Sequence, residues 1–196
     1  MFKFRFITTV TCLLVLLLSP ARAEHEPGHP WYLGFALMFT SADPDCDYYG
    51  YNCDGTDTGF KVYGGKRLHE NLAIELAYMD LGKLRDKDGD RTSVAESEGI
   101  NLSLLGIIPT GDIGFFYGKA GVMASETTIT RENRNGTRKF DEDSTDFTYG
   151  AGYAVTFGGK YDFRFEIERL NDLSSDFVPG GDAITAFNLG GTIYFE

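Results

Sequence analysis

Basic residues are too few in this sequence for one large class of partner. Eighteen Lys and Arg face 29 Asp and Glu, a formal net charge of −11, and a surface of that sign repels a phosphate backbone. A nucleic-acid partner is therefore not expected. Long apolar runs are also almost absent. Val10 to Leu18 is the one clear case, well short of the ~20 residues that a membrane-spanning helix needs. Cysteine is scarce, with three in the chain. Cys12 lies inside the apolar run and not just after a cleavage point, which argues against a lipid-anchored cysteine. Histidine is as rare, at His25, His29 and His69, which leaves little material for imidazole chemistry. Proline is sparse, and no low-complexity tract breaks the chain.

The apolar run belongs to a leader. Lys3 and Arg5 precede it, and Ala21-Arg22-Ala23 forms an A-x-A cleavage signal. Residues 1–23 are predicted to be a signal peptide, 24–30 a short periplasmic tail and 31–196 the folded domain. Without Lys3, Arg5 and Arg22, 15 basic residues remain against 29 acidic ones, a charge of about −14.

Glycine, phenylalanine and tyrosine are abundant, at 24, 16 and 11 residues. They fall into an alternating pattern. In WYLGFALMFT, Trp31, Leu33, Phe35, Leu37 and Phe39 are large and apolar, while Tyr32, Gly34, Ala36, Met38 and Thr40 are mostly small or weakly polar. A period of two means a strand whose faces meet different surroundings. The pattern recurs around Phe60–Gly65, Leu72–Met79, Ile100–Ile108, Phe116–Val122, Phe147–Phe157, Asp162–Glu168 and Phe187–Phe195. Eight strands and no helix are predicted.

Alternation alone does not say which face is inside, since a soluble barrel buries its large residues and a membrane barrel shows them to lipid. Three features decide for lipid. Connections alternate between tight turns (69–70, 109–112, 158–160) and long polar links (about 41–57, 83–95, 125–145 and 171–182). Aromatics gather at both ends of the apolar parity, with Trp31, Phe157, Phe163 and Phe195 near the short turns and Phe39, Phe60, Tyr78, Phe147 and Phe187 near the long links. The opposite parity holds Glu75, Lys119, Arg164, Glu166 and Glu168 among many glycines, and inside a narrow barrel small residues make room for such charges to pair. Ten residues tilted by roughly 40° span about 25 Å, the height of the lipid-facing band. The expected fold is all-β, an eight-stranded antiparallel up-and-down transmembrane barrel.

The segments WYLGFALMF, DTGFKVYGGKRLHENLAIELAYMDLG, FFYGKAGV, FRFEIERL and LGGTIYF also resemble the OmpA-like outer-membrane barrel family. The resemblance covers nearly all of residues 31–195 in strand order. It implies a monomer in the bacterial outer membrane with both termini periplasmic. It further implies an internal ion-pair network, with Glu75 and Glu166 at inward carboxylate positions and Lys119 at a basic one. Three departures stand out. Leu105 occupies the region where some members carry a lysine, which weakens the case for a gated pore. The chain stops at the barrel, without the peptidoglycan-binding domain of longer members. Glu196 follows Phe195, which displaces the terminal aromatic of barrel-assembly signals by one residue.

Candidate chemistry is thin. Cys46 and Cys53, with six residues between them in an exported loop, are expected to form a disulfide that restricts the open loop by roughly 2–3 kcal/mol. No further soft or imidazole ligand stands nearby, so no metal is expected there. DKDGD, Asp86 to Asp90, begins like a calcium loop, but Arg91 and Ser97 stand where an EF-hand needs Gly and Glu. A solvated acidic loop is the better reading. A lipid-modifying enzyme would want a Ser–His pair at the outer rim, and all three histidines fall at the periplasmic end. No catalytic residue and no cofactor is predicted. The sequons at Asn101 and Asn135 mean little in a bacterial envelope. The expected role is a structural outer-membrane barrel whose long polar loops engage an external partner. The alternatives are a small gated pore and, behind it, an envelope enzyme. Expected associations are with outer-membrane lipids and lipopolysaccharide, and with the barrel-assembly machinery through the C-terminal strand.

Overall fold

The computed structural model describes residues 30–42, 52–54, 56–88, 91–133, 136–171 and 183–196. The predicted signal peptide and Cys46 lie outside the described residues. Among the described residues nine strands are present: β1 Trp31–Ala42, β2 Asn52–Asp54, β3 Thr56–His69, β4 Leu72–Asp88, β5 Arg91–Pro109, β6 Gly114–Asn133, β7 Gly136–Phe157, β8 Tyr161–Asn171 and β9 Ala183–Phe195. Each strand but β2 pairs antiparallel with its two neighbours in the ring, β1 with β3 and β9 and β4 with β3 and β5, and β4 pairs also with β2. The sheet thus closes into an eight-stranded barrel with no free edge among the described residues of the closed ring, which is how an all-β protein satisfies its backbone away from water. The expected eight barrel strands are all found. The additions are β2, a three-residue strand laid against the end of β4, and a single 3₁₀ turn at Gly111–Ile113.

The parity is as read from the sequence. Leu33, Phe35, Leu37 and Phe39 point outward and are exposed, whereas Tyr32, Ala36, Met38 and Thr40 are buried. The same holds around the wall: Leu104, Phe116, Val122, Phe147, Phe165, Phe187 and Leu189 face out, and Glu75, Asn101, Lys119, Arg164, Glu166, Glu168 and Asn188 face in.

One end is short and one is tall. The tight turns join β3 to β4, β5 to β6 and β7 to β8 at the end where β1 begins and β9 finishes, with Trp31 opposite Phe195. In the last of these turns Gly158 and Gly159 have φ of 57° and 69°. The N–H of Lys160 returns to the carbonyl of Phe157 at 3.3 Å. Two successive left-handed residues are the geometry that matches strand twist in a hairpin, and glycine adopts it without strain.

At the other end the sequence reading needs correction. The stretches expected to be polar links at 83–95 and 125–145 are continued β-ladder in their described residues. β4 runs to Asp88 and β5 starts at Arg91, while β6 runs to Asn133 and β7 starts at Gly136. Asp86 to Asp88 of DKDGD are part of this ladder, with Asp86 opposite Ser93 and Asp88 opposite Arg91, and Gly89 and Asp90 lie outside the described residues. A 20-residue strand such as β6, tilted roughly 40°, rises roughly 50 Å, about twice the lipid band. Alternation fades toward the tip, where residues 137–143 of β7 are exposed on both faces and nothing forces one face to be apolar, while Leu81, Ser125 and Ile129 remain buried lower down. A bulge marks the change on β4, where the register shifts between Asp80 and Lys83 and Gly82 takes φ 82°.

The barrel lumen as candidate functional site

The inward parity of β3, β4, β6 and β8 delivers six ionic side chains to one level of the lumen. Three are carboxylates, Glu75, Glu166 and Glu168, and three are cations, Lys61, Lys119 and Arg164, all buried. The Lys61 ammonium lies 2.7 Å from Glu166 Oε1, 3.2 Å from Glu168 Oε2 and 3.8 Å from Glu75 Oε1. Lys119 lies 2.9 Å from Glu168 Oε1, 3.6 Å from Glu75 Oε1 and 3.7 Å from Glu166 Oε1. Its nitrogen is held by charge, because the directions of those oxygens do not make hydrogen bonds. Arg164 Nη1 donates to Glu75 Oε2 at 2.9 Å. The set is electrically balanced, which a dry lumen requires, since a buried charge without a partner is far costlier than a paired one.

Neutral groups complete the shell. Tyr117 donates to Glu166 Oε2 at 2.9 Å and Tyr32 to Glu75 Oε2 at 3.2 Å. The amide of Asn188 donates to Glu166 Oε1 at 2.9 Å. The Arg164 guanidinium stacks among three tyrosine rings, 4.9 Å from Tyr32, 4.9 Å from Tyr63 and 5.4 Å from Tyr117, where the ring faces favour a cation.

The inward glycines are explained by these rings. A Cβ on Gly34 would stand 2.2 Å from Tyr63 Cζ, one on Gly65 2.3 Å from Tyr32 Cζ, and one on Gly152 2.4 Å from Tyr117 Cζ. Each tyrosine lies flat over the glycine of a neighbouring strand. Glycine here makes room for the aromatic collar that holds Arg164, and only indirectly for the charges.

Little space remains. The void enclosed by Lys61, Tyr63, Tyr117, Arg164, Glu166 and Asn188 measures about 10 Å³, at most a single water. Toward the tall end Met38, Met79, Met123 and Leu170 fill the bore and are fully buried. Toward the short end Tyr194 donates to Asp162 Oδ2 at 2.5 Å, and the Arg67 guanidinium lies 4.8 Å from the Phe115 ring and 5.1 Å from that of Tyr194.

The five charged residues expected to meet in the lumen are thus found together. The sequence reading missed Lys61. Its parity was visible between Phe60 and Val62, and the count of three carboxylates against two bases signalled a missing cation. Tyr32, Tyr63, Tyr117 and Asn188 carry no charge and gave no comparable signal. Cys53 lies on β2, opposite Asp86. His69 sits exposed in the β3–β4 turn, where its Nδ1 accepts the N–H of Asn71 at 3.4 Å.

The family profile described as the outer membrane protein beta-barrel domain matches residues 10–195. The chain belongs to that family. Membership places the barrel in the bacterial outer membrane, and the exposed apolar wall is the surface that meets lipid there. Solved structures share the fold. Ail, the attachment invasion locus protein of Yersinia pestis, is 11% identical with a TM-score of 0.60, over 87% of this chain and 100% of that one. Neisserial surface protein A is 13% identical with a TM-score of 0.60, over 84% and 97%. OprG of Pseudomonas aeruginosa is 12% identical with a TM-score of 0.54, over 87% and 98%. No curated protein matches the sequence at a significant level.

Proposed function

We propose that this family member is a structural barrel that does not conduct, and that its tall hairpins present an acidic surface to an external partner. The observation that carries the reading is the lumen void of about 10 Å³ inside a balanced ionic layer, with Met38, Met79, Met123 and Leu170 fully buried in the bore beside it. The short-turn end, with both termini, faces the periplasm, and the extended β4–β7 wall stands outside the cell. The protein is a monomer, seated among phospholipid and lipopolysaccharide, and its C-terminal strand engages the assembly machinery. The leader is removed after Ala23, and Cys46 and Cys53 are joined. The structural similarity to Ail, an attachment and invasion protein by its name, supports a surface role.

The test has two arms. Purified protein in a planar bilayer should show no steady conductance, and a reproducible open level would favour the gated-pore reading. In cells, residues 83–96 and 125–145 are replaced by short turns and the barrel's folding is checked. Attachment to cultured host cells or adsorption of phage should fall. Unchanged attachment and adsorption would rule out the hairpins as the binding element.

A further inference from the structure

The outer wall carries a groove of about 610 Å³ toward the short-turn end, bounded by Leu33 and Phe35 on one side and by Phe157 and Phe163 on the other. Its floor is Gly191. That residue stands in register between Phe35 and Phe163, so one lipid-facing position between two phenylalanines has no side chain. The protein itself does not demand glycine there. Gly191 is not one of the glycines with positive φ, and a Cβ on it would meet no atom nearer than the Asp162 carbonyl oxygen at 3.9 Å. The inward Gly34, Gly65 and Gly152 differ sharply, since a Cβ on any of them would strike a tyrosine ring.

Charge is placed at the end of this groove. Lys160 is exposed in the β7–β8 turn and immediately precedes Tyr161, which lines the groove together with Phe157. On the opposite bank the Lys66 ammonium lies 4.9 Å from the ring of Trp31, two residues before Leu33 on the same outward face. An apolar channel that ends beside lysines at the membrane interface matches an acyl chain joined to a negative headgroup.

We propose that this groove binds an anionic phospholipid, with one acyl chain lying over Gly191 between Phe35 and Phe163 and the phosphate drawn to Lys160. The choice of phospholipid over lipopolysaccharide rests on the orientation proposed above. Trp31 is the only tryptophan of the chain and reports on its own surroundings. The folded protein is reconstituted in phosphatidylcholine vesicles that contain increasing fractions of lipid brominated on its acyl chains, either phosphatidylglycerol or phosphatidylcholine. Brominated phosphatidylglycerol should half-quench Trp31 at about a fivefold lower fraction, the preference that one lysine near an anionic headgroup supplies. Gly191→Leu, which fills the groove, and Lys160→Gln, which removes the charge, should each bring the two curves together. Heat-dependent gel mobility shows that each variant is folded. Superimposed curves for the wild type mean unselective boundary lipid and overturn the proposal, as does a preference retained in both variants. Both leaflets are alike in these vesicles, so the orientation is tested separately, by protease access to a tag at the C-terminus in intact cells.

Discussion

Lys61 and Glu166 are 105 positions apart in the chain and 2.7 Å apart in the lumen. Their strands, β3 and β8, are not neighbours in the wall, since β1 and β9 stand between them. The pair therefore crosses the bore, and Lys119 on β6 reaches the same carboxylates from another side. A cross-lumen bond of this kind ties the wall to itself from within, which backbone pairing between adjacent strands cannot do. It also fills the space through which an ion would have to pass.

Removing Lys61 should accordingly be costly. Lys61→Ala leaves Glu166 and Glu168 short of a cation, and breaking a buried ionic set from one side costs about 3–5 kcal/mol. Adding Glu168→Gln removes one stranded charge and should restore part of the loss. Urea unfolding of the single and double variants in lipid vesicles checks both values. Strictly additive losses would show that the two residues are not coupled.

A second prediction concerns the tyrosine collar. Gly34→Ala forces its methyl group into the ring of Tyr63, which supplies the three atoms nearest that Cβ, and should cost about 1–3 kcal/mol. In a Tyr63→Ala background the same change should cost far less. A double-mutant cycle on unfolding free energies reads the difference. An equal cost in both backgrounds would place the strain elsewhere.

How far the sequence carries depends on whether a residue's two sides meet different media. Within the lipid band Phe35 and Ala36, or Phe165 and Glu166, face opposite environments, so the period of two survives and the wall and its parity can be read directly. Toward the tip of the extension Lys139 and Phe140, on opposite faces of β7, are both exposed. Selection for contrast is lost, and strand reads as loop. The lumen was half legible. Carboxylates with inward parity announce an ionic layer, but its geometry is set by Tyr63 over Gly34 and Tyr117 over Gly152, contacts between residues far apart in sequence that no local pattern encodes.

Depth gives a third prediction. Phe165 lies mid-strand on the lipid face, level in register with Leu189 and Tyr153, so Phe165→Arg should cost about 2–4 kcal/mol. Thr145 has the same outward parity on β7 but lies beyond Phe147, at the edge of the band. Thr145→Arg should cost about 0–1 kcal/mol. Parallel unfolding measurements in vesicles test the pair, and equal losses at both sites would misplace the membrane boundary.

The last prediction follows from the register just above that boundary. Asp80, Glu98, Glu126 and Asp143 are direct cross-strand partners in sequence, from β4 to β5 to β6 to β7, on the outward face. Like charges placed opposite one another destabilise a sheet. The next rung is relieved: Lys83 Nζ lies 2.7 Å from Glu96 Oε1, and its ammonium holds the Glu96 carboxyl below the usual carboxylate range. Glu126 has an acid on each side, so Glu126→Gln removes two repulsions together and should stabilise the extended wall by about 0.2–1 kcal/mol. These groups face water, so the gain should be largest at low ionic strength and should fade as salt shortens the reach of the charges. Glu96→Gln should act in the opposite direction, because it removes a partner from Lys83. Thermal melts of the three proteins at low and at high salt decide the matter. A Glu126→Gln variant no more stable than wild type at low salt would show that the acidic rung is already neutralised by ions from solution.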